Sequence, residues 1–236
     1  MEISKQAAIK ELSRFTAPVR LAESAAEALT MAVPRDWGGF LDQGRDHTAL
    51  NFYWRSLSAR VPNIAAFLKN DLQKLFVLEQ QRGGMSLLYA YTVGGDDLNF
   101  YKGRPPLAAV PEKFQCVWER IPAELRHFYL HIHDGWTFVP AESMGPLPVE
   151  DWHFLSEDKF DIDDDVAAGL PIDISQTLAV FHNGAGDYLC LDFVDPTAEA
   201  RGVIWWHDNP EEPEFVDFWA VLDAWIGIFL EEADSV

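Results

Sequence analysis

His127 and His131 stand four residues apart in the stretch His-Phe-Tyr-Leu-His. On a helix they share one face, a spacing that metal ligands use. His133 and Asp134 follow closely. A catalytic zinc helix also needs a general base, and the glutamate expected beside the first histidine is missing. Histidines at a helix end also complement the dipole without any metal. A second concentration of chemistry is the acidic run from Glu157 and Asp158 through Asp161, Asp163, Asp164 and Asp165. Asp161, Asp163 and Asp165 imitate the start of a calcium loop, which then fails. Its sixth position is Val166, where glycine is needed, and its twelfth is Ile172, where glutamate is needed. Gly184 and Gly186 form a Gly-x-Gly pair followed by a strand-like run. A phosphate cradle needs a helix amino terminus there, so the pair reads as a hairpin turn. Cys116 and Cys190 form no Cys-x-x-Cys pair and have no base nearby, so both read as small buried hydrophobes of a reducing compartment. No Gly-x-Ser-x-Gly elbow occurs. No catalytic centre, cofactor motif or metal requirement is expected.

The elements that would carry these residues differ between the halves. Residues 1–30 read as helices, with Ala8, Leu12 and Phe15 at helical spacing and a Ser24/Glu27 capping box ahead of Ala28–Val33. Residues 35–50, containing Gly38, Gly39 and Gly44, read as a loop. Asn63 can cap a helix over Ile64–Leu75. Leu75–Gln80 and Met85–Val93 read as strands joined through Gln81-Arg82-Gly83-Gly84. The glycines and prolines of Gly94–Pro111, Gly95 among them, predict a linker. A helix follows Pro122 through Ile132 and ends at Gly135. Thr177–His182, Tyr188–Val194 and Gly202–His207 read as strands, the first two joined by the tight Asn183–Asp187 connection. Phe215–Glu231 is an apolar-striped helix carrying Phe218, Trp219, Leu222, Trp225, Ile226 and Phe229. Helix, hairpin, strand and helix in that order predict an α+β fold, an antiparallel sheet flanked by helices. The amino-terminal portion, residues 1–105, is expected to be helix-rich with one hairpin, and residues 112–236 to form a second unit.

Charge sharpens the contrast. The 236 residues hold 18 Lys and Arg against 38 Asp and Glu, a net charge of −20. Residues 1–120 carry 15 bases and 13 acids, so the remaining 3 bases and 25 acids leave residues 121–236 at −22. Nucleic acid and anionic membrane surfaces are excluded as main partners, because both need a basic footprint. The opening MEISKQAAIKEL has no apolar core, so no secretory signal is expected. The stretch Phe218 to Leu230 is interrupted by Asp223 and is too short to span a bilayer. A cytoplasmic protein is expected.

Four stretches of the second half together resemble the SMI1/KNR4 (SUKH) family. Ile121-Pro122-Ala123-Glu124-Leu125-Arg126-His127-Phe128-Tyr129, ending in Asp134-Gly135-Trp136, is similar to the family's opening, with Asp134 where Asn is usual. Phe181-His182-Asn183-Gly184-Ala185-Gly186-Asp187-Tyr188-Leu189-Cys190-Leu191-Asp192 resembles its central hairpin. Gly202-Val203-Ile204-Trp205 with His207 and Asp208 resembles the next strand, and Phe215–Leu230 the closing helix. The likeness covers roughly residues 112–232, and residues 1–105 have no recognised counterpart. It implies no catalysis. Bacterial members are mostly immunity proteins that neutralise a cognate toxin, often a nuclease, and fungal members are regulators acting through protein contacts.

The expectation is therefore a non-catalytic protein-binding module, an immunity protein whose partner is a basic protein toxin. The alternatives are an intracellular regulatory scaffold and a metal-dependent hydrolase using His127 and His131. The expected partner-binding residues are Asp151, Glu157, Asp158, Asp161, Asp163, Asp164 and Asp165, with Asp208, Glu211 and Glu212 as a second acidic rim. Trp152 and Phe160 are candidate anchors or core residues.

Overall fold

A computed structural model describes residues 3–42, 47–81, 84–94 and 97–232. Gly44, Arg82, Gly83 and Gly95, each invoked above for a loop, turn or linker, lie outside the described residues. In chain order the elements are α1 (Lys5–Leu12), β1 (Pro18–Ala22), α2 (Ala25–Ala28), α3 (Arg35–Leu41), α4 (Thr48–Trp54), α5 (Pro62–Asn70), β2 (Lys74–Gln80), β3 (Gly84–Val93) and β4 (Asp97–Arg104). There follow α6 (Gln115–Trp118), α7 (Ala123–His127), β5 (Asp134–Phe138), β6 (Gly145–Pro146), β7 (His153–Phe154), α8 (Asp164–Gly169), β8 (Thr177–His182), β9 (Tyr188–Asp192), β10 (Arg201–Trp205), β11 (Glu214–Val216) and α9 (Phe218–Glu232). The fold is α+β, as its sequence pattern predicts. Among the described residues no helix is long and apolar enough to cross a membrane.

Two antiparallel sheets make the frame. The first has the strand order β1-β2-β3-β4-β5 and the second β11-β10-β9-β8-β6, with β7 also paired to β8. Both sheets are covered on both faces, so their inner strands are near-continuous apolar runs rather than strict alternations. On the first sheet, Val77, Leu87, Tyr89 and Tyr101 face the central core, while Phe76, Leu78, Leu88 and Phe100 face α1 through Ala8 and Leu12. On the second, Leu189, Leu191 and Ile204 face the central core, and Cys190, Val203 and Trp205 face a separate apolar layer.

The structure corrects several local expectations. Residues 18–22 are a strand, not part of a helix, and pair with β2. Ser24 does cap its helix and Glu27 does reach back, to the Glu23 amide, but the helix is a single turn. Residues 35–50 contain α3 and part of α4, whose Trp37, Phe40, Leu50 and Trp54 are buried. Gly38 and Gly39 both lie inside α3, so glycines that resemble helix breakers are here helical residues. The expected linker contains β4, whose buried Lys102 is paired with Glu142. Gly135 lies inside β5 with φ +80°, and the helix before it ends at His133 after a π-turn over Phe128–Ile132. Phe215 belongs to β11 and is exposed, so the last helix starts three residues later than expected. Cys190 is buried, and Cys116 is exposed.

Strand β5 joins the two portions of the chain, because it pairs with β4 in the first sheet. Trp136 stacks on Tyr101 at 4.0 Å between ring centroids and meets Trp54 at 5.5 Å and Tyr89 at 5.7 Å. Beside it runs a buried polar chain. The Trp54 indole N–H donates to the Tyr89 hydroxyl at 3.0 Å, and that hydroxyl donates to His133 Nε2 at 2.6 Å. The His133 Nδ1–H donates to the Arg104 carbonyl at 2.9 Å. This arrangement satisfies a neutral imidazole on both nitrogens. Burial pushes His133 down from 6.5 to about 4.

Helix α9 closes the seam between the sheets. Leu222 and Ile226 are fully buried, while Trp219, Trp225 and Phe229 are half-buried. Trp225 meets Phe181 of the second sheet at 5.5 Å, and Phe229 meets Phe138 of the first at 4.6 Å. Asp223 of α9 caps α5. Its buried carboxylate accepts the Asn63 amide at 3.1 Å and the Ile64 amide at 3.3 Å. Asn63 is thus a capped residue inside the first turn, not the cap expected of it. Burial raises the Asp223 pKa, against the lowering effect of those amides. Asp223→Ala leaves buried donors without a partner and should destabilise by about 2 kcal/mol. Asp223→Asn, which keeps an acceptor oxygen, should lose about half of that. Urea midpoints of the two variants test this, and equal losses would refute the cap.

Candidate functional site

The acidic run is held to the outer face of the second sheet by apolar residues interleaved with it. Leu155, Phe160 and Ile172 pack with Ala179, Cys190, Val203 and Trp205. The Phe160 ring lies 5.2 Å from Tyr188 and 5.5 Å from Trp205. Phe160 is thereby a core anchor of the loop, and Trp152 is fully buried. With the apolar side chains turned inward, Asp161, Asp163 and Asp165 are left exposed. Asp161 sits at φ +48°, in the left-handed region that Asp tolerates better than most residues. Lys159, the one base of the run, lies 5.2 Å over the Tyr188 ring.

Glu157 differs from its neighbours. Its carboxylate accepts Lys113 Nζ at 2.8 Å, His153 Nδ1 at 3.0 Å and the Phe154 amide at 2.7 Å. Partial burial raises its pKa, but these three donors outweigh burial and hold it at about 2. It fastens the loop to the segment before α6.

The second acidic rim lies at the same end of that sheet. Tyr188 opens β9 and Trp205 closes β10, and the chain then turns through Asp208, Glu211 and Glu212, all exposed. His207 anchors this turn. Its Nδ1 lies 2.8 Å from Asp187 and its Nε2 3.0 Å from Asp208. Hydrogen bonding to Asp187 raises the His207 pKa, with the Asp208 and Asp187 charges adding to it. Asp187 is held in turn by the hairpin, where the Asn183 carboxamide oxygen accepts the Ala185 and Asp187 amides. Gly186, at φ +111°, lets His207 approach, since a Cβ there would come within 2.7 Å of its ring. The Asn183–Asp187 glycines are structural, as their sequence pattern predicts. The His207–Asp187 clasp is not visible in the sequence, because it joins two turns 20 residues apart.

The Phe160 anchor beside Asp161 and the turn that carries Asp208, Glu211 and Glu212 thus both meet the Tyr188–Trp205 end of the sheet. Of the exposed carboxylates Asp161, Asp163, Asp165, Asp208, Glu211 and Glu212, only Asp208 has an ion-pair partner among the described residues, His207. The side chains of Asp158 and Asp164 lie outside the described residues. Asp151 is exposed but belongs elsewhere, with Glu150 beside Asp134. Asp134 is half-buried and accepts the Val149 amide at 2.8 Å.

His127 and His131 lie with ring centroids 4.6 Å apart on the exposed surface. Burial, His131 and Arg55 all lower the His127 pKa. Among the described residues, no group of three or more His, Cys, Asp or Glu is placed to hold a metal ion. Burial pushes the Cys190 thiol well up, leaving it a poor nucleophile.

Comparison with known proteins adds one decisive finding. The model of the SMI1 / KNR4 family (SUKH-1) matches residues 107–227. The chain belongs to the SMI1/KNR4 family. The SUKH-1 match runs from the segment after β4 into α9, and so takes in the acidic loop, the His207 clasp and the whole second sheet except the tail of its closing helix. No curated protein and no solved structure matches the chain.

Proposed function

We propose that this SUKH-1 protein is a non-catalytic immunity protein of the cytoplasm, which binds a basic cognate toxin stoichiometrically through the acidic end of its second sheet. SUKH-1 members are often of the immunity-protein type. The observation that carries the reading is the set of exposed carboxylates Asp161, Asp163, Asp165, Glu211 and Glu212, free of ion pairs among the described residues, on a loop and a turn that both meet the Tyr188–Trp205 end of the second sheet, with Asp208 beside them. Solvated acids scattered for solubility need no mount, whereas the loop is anchored at Phe160 and Glu157 and the turn at His207. A fixed negative patch steers a basic partner at up to about 10⁸ M⁻¹s⁻¹ at low salt. Asp151 adds to the negative field from a separate position. Residues 1–105 serve in this reading as a permanent buttress.

Co-expression with the product of the neighbouring reading frame should protect cells. The variant Asp163→Lys/Asp165→Lys/Glu211→Lys should weaken the complex by about 10- to 100-fold and flatten its salt dependence, with thermal stability unchanged. Asp161 is left alone because of its backbone. Binding of unchanged strength and salt dependence would place the interface elsewhere.

A further inference from the structure

Helices α4 and α5 diverge around a slot of about 370 Å³. Its floor is apolar, formed by Trp54, Val61, Ile64 and Leu68, each at least 96% buried. Arg55 and Lys69 stand exposed at its mouth. No carboxylate lines it, in a chain with 38 acids to 18 bases. Among the described residues neither cation is in an ion pair, although ten other Lys or Arg residues are. Arg55 is instead poised by stacking, its guanidinium 3.5 Å from the centroid of the Phe52 ring, and Phe52 is 64% exposed. Trp54, Val61 and Ile64 also wall a smaller, wholly apolar cavity of about 20 Å³ that reaches Leu125, Phe128 and Leu222.

We infer that this slot is a binding site for a single-chain amphiphilic carboxylate of the medium-chain fatty-acid class. A volume of 370 Å³ falls in the range of about 300–1,000 Å³ of small-ligand sites, which are mostly apolar with a few placed polar groups. The chain lies along Trp54, Ile64 and Leu68, and the carboxylate meets Arg55 and Lys69. Charge complementarity selects an anion: two cations without carboxylate partners, on the near-neutral half of an otherwise acidic protein, would repel a cationic ligand. The apolar residues of the lining, Trp54, Val61, Ile64, Ala65 and Leu68, select an acyl chain over an inorganic anion. The slot lies in residues 51–69, outside the family match, so the proposal does not rest on the immunity reading.

The experiment is calorimetric titration of the full chain with hexanoate, octanoate and decanoate, and with decanol. Decanoate should bind one per chain. Affinity should rise by about fourfold per methylene along the series, the factor that 0.8 kcal/mol per buried methylene gives. Decanol, which keeps the chain and loses the charge, should bind at least about tenfold more weakly, as should decanoate to Arg55→Gln/Lys69→Gln. Ala65→Phe, which fills the slot, should abolish binding. The exposed double variant keeps the test decisive if Ala65→Phe misfolds. Absence of saturable decanoate binding, no gain with chain length, or equal affinity of the double variant would each overturn the site, even if an acidic protein segment were found to bind there.

Discussion

A chain beginning at residue 106 should show no cooperative unfolding transition. It would contain the whole family match, yet β5 would lose β4, its only neighbour in the first sheet among the described residues. Trp136 would lose Tyr101, Trp54, Tyr89 and Phe67, four aromatic neighbours that all come from the first 105 residues. Truncating one buried aromatic side chain to alanine costs about 3–5 kcal/mol. Domain stabilities are about 5–15 kcal/mol, so the loss of four such partners exceeds what the remainder can supply. The complementary fragment 1–105 would expose Val77, Leu87, Tyr89 and Tyr101 and should fail likewise. Urea titration followed by tryptophan fluorescence, with circular dichroism, checks both. A sharp transition in 106–236 near the full-length midpoint would show that residues 1–105 are dispensable.

The full chain should lose about 2 kcal/mol between pH 7.5 and pH 5. His133 has its folded pKa pushed down to about 4 from 6.5, so the unfolded chain takes up the proton first. Stability from this group is complete above pH 6.5 and is lost as pH falls from 6.5 towards 4, at about 1.4 kcal/mol per unit. The physical event is that a proton on Nε2 removes the acceptor for the Tyr89 hydroxyl, at a fully buried position. His127 and His182 are also lowered, chiefly by burial, and push in the same direction, while His207 is raised and opposes them. Glu157, held at about 2, contributes stability above its ordinary value that is lost only on falling towards 2, below this window. Urea midpoints at the two pH values, for the parent and for His133→Gln, measure the effect. The variant should start less stable and show a much smaller decline. An undiminished decline would assign the acid sensitivity to other groups.

Legibility in the sequence followed the locality of the interactions. The hairpin around Asn183–Asp187 and strands β8 to β10 were readable because turn chemistry and apolar runs are neighbours in the chain. Helix α9 was readable from its stripe, although Asp223 looked like an interruption. Its meaning is the α5 cap, and Asn63 is 160 residues away. The helices of residues 35–50 were hidden because Gly38 and Gly39 read as breakers, and only the burial of Trp37 and Phe40 in the core shows what holds α3 in place. Strand β4 was hidden because Lys102 and the Gly/Pro flanks read as solvated linker, and only Glu142 and β5 make a strand of it. At the candidate site, the exposure of Asp161, Asp163 and Asp165 followed from the sequence. The engagement of Glu157 did not, since Lys113 approaches it from 44 residues away.

The Asp223 cap also bears on the order of events in synthesis. Helix α5 leaves the ribosome among the first 70 residues, but the carboxylate that satisfies its first amides is made about 160 residues later. At about 5–20 residues per second, that interval is on the order of 10–30 s. During it, Ile64, Phe67 and Leu68 have no α9 to cover them, and Tyr101 waits for Trp136. The nascent chain therefore carries an incomplete core until α9 has been made, and closure depends on contacts of very high sequence separation, the kind that form slowly. Slowed elongation between the codons for α5 and those for α9 should lengthen this vulnerable period, and chaperone demand should rise with it.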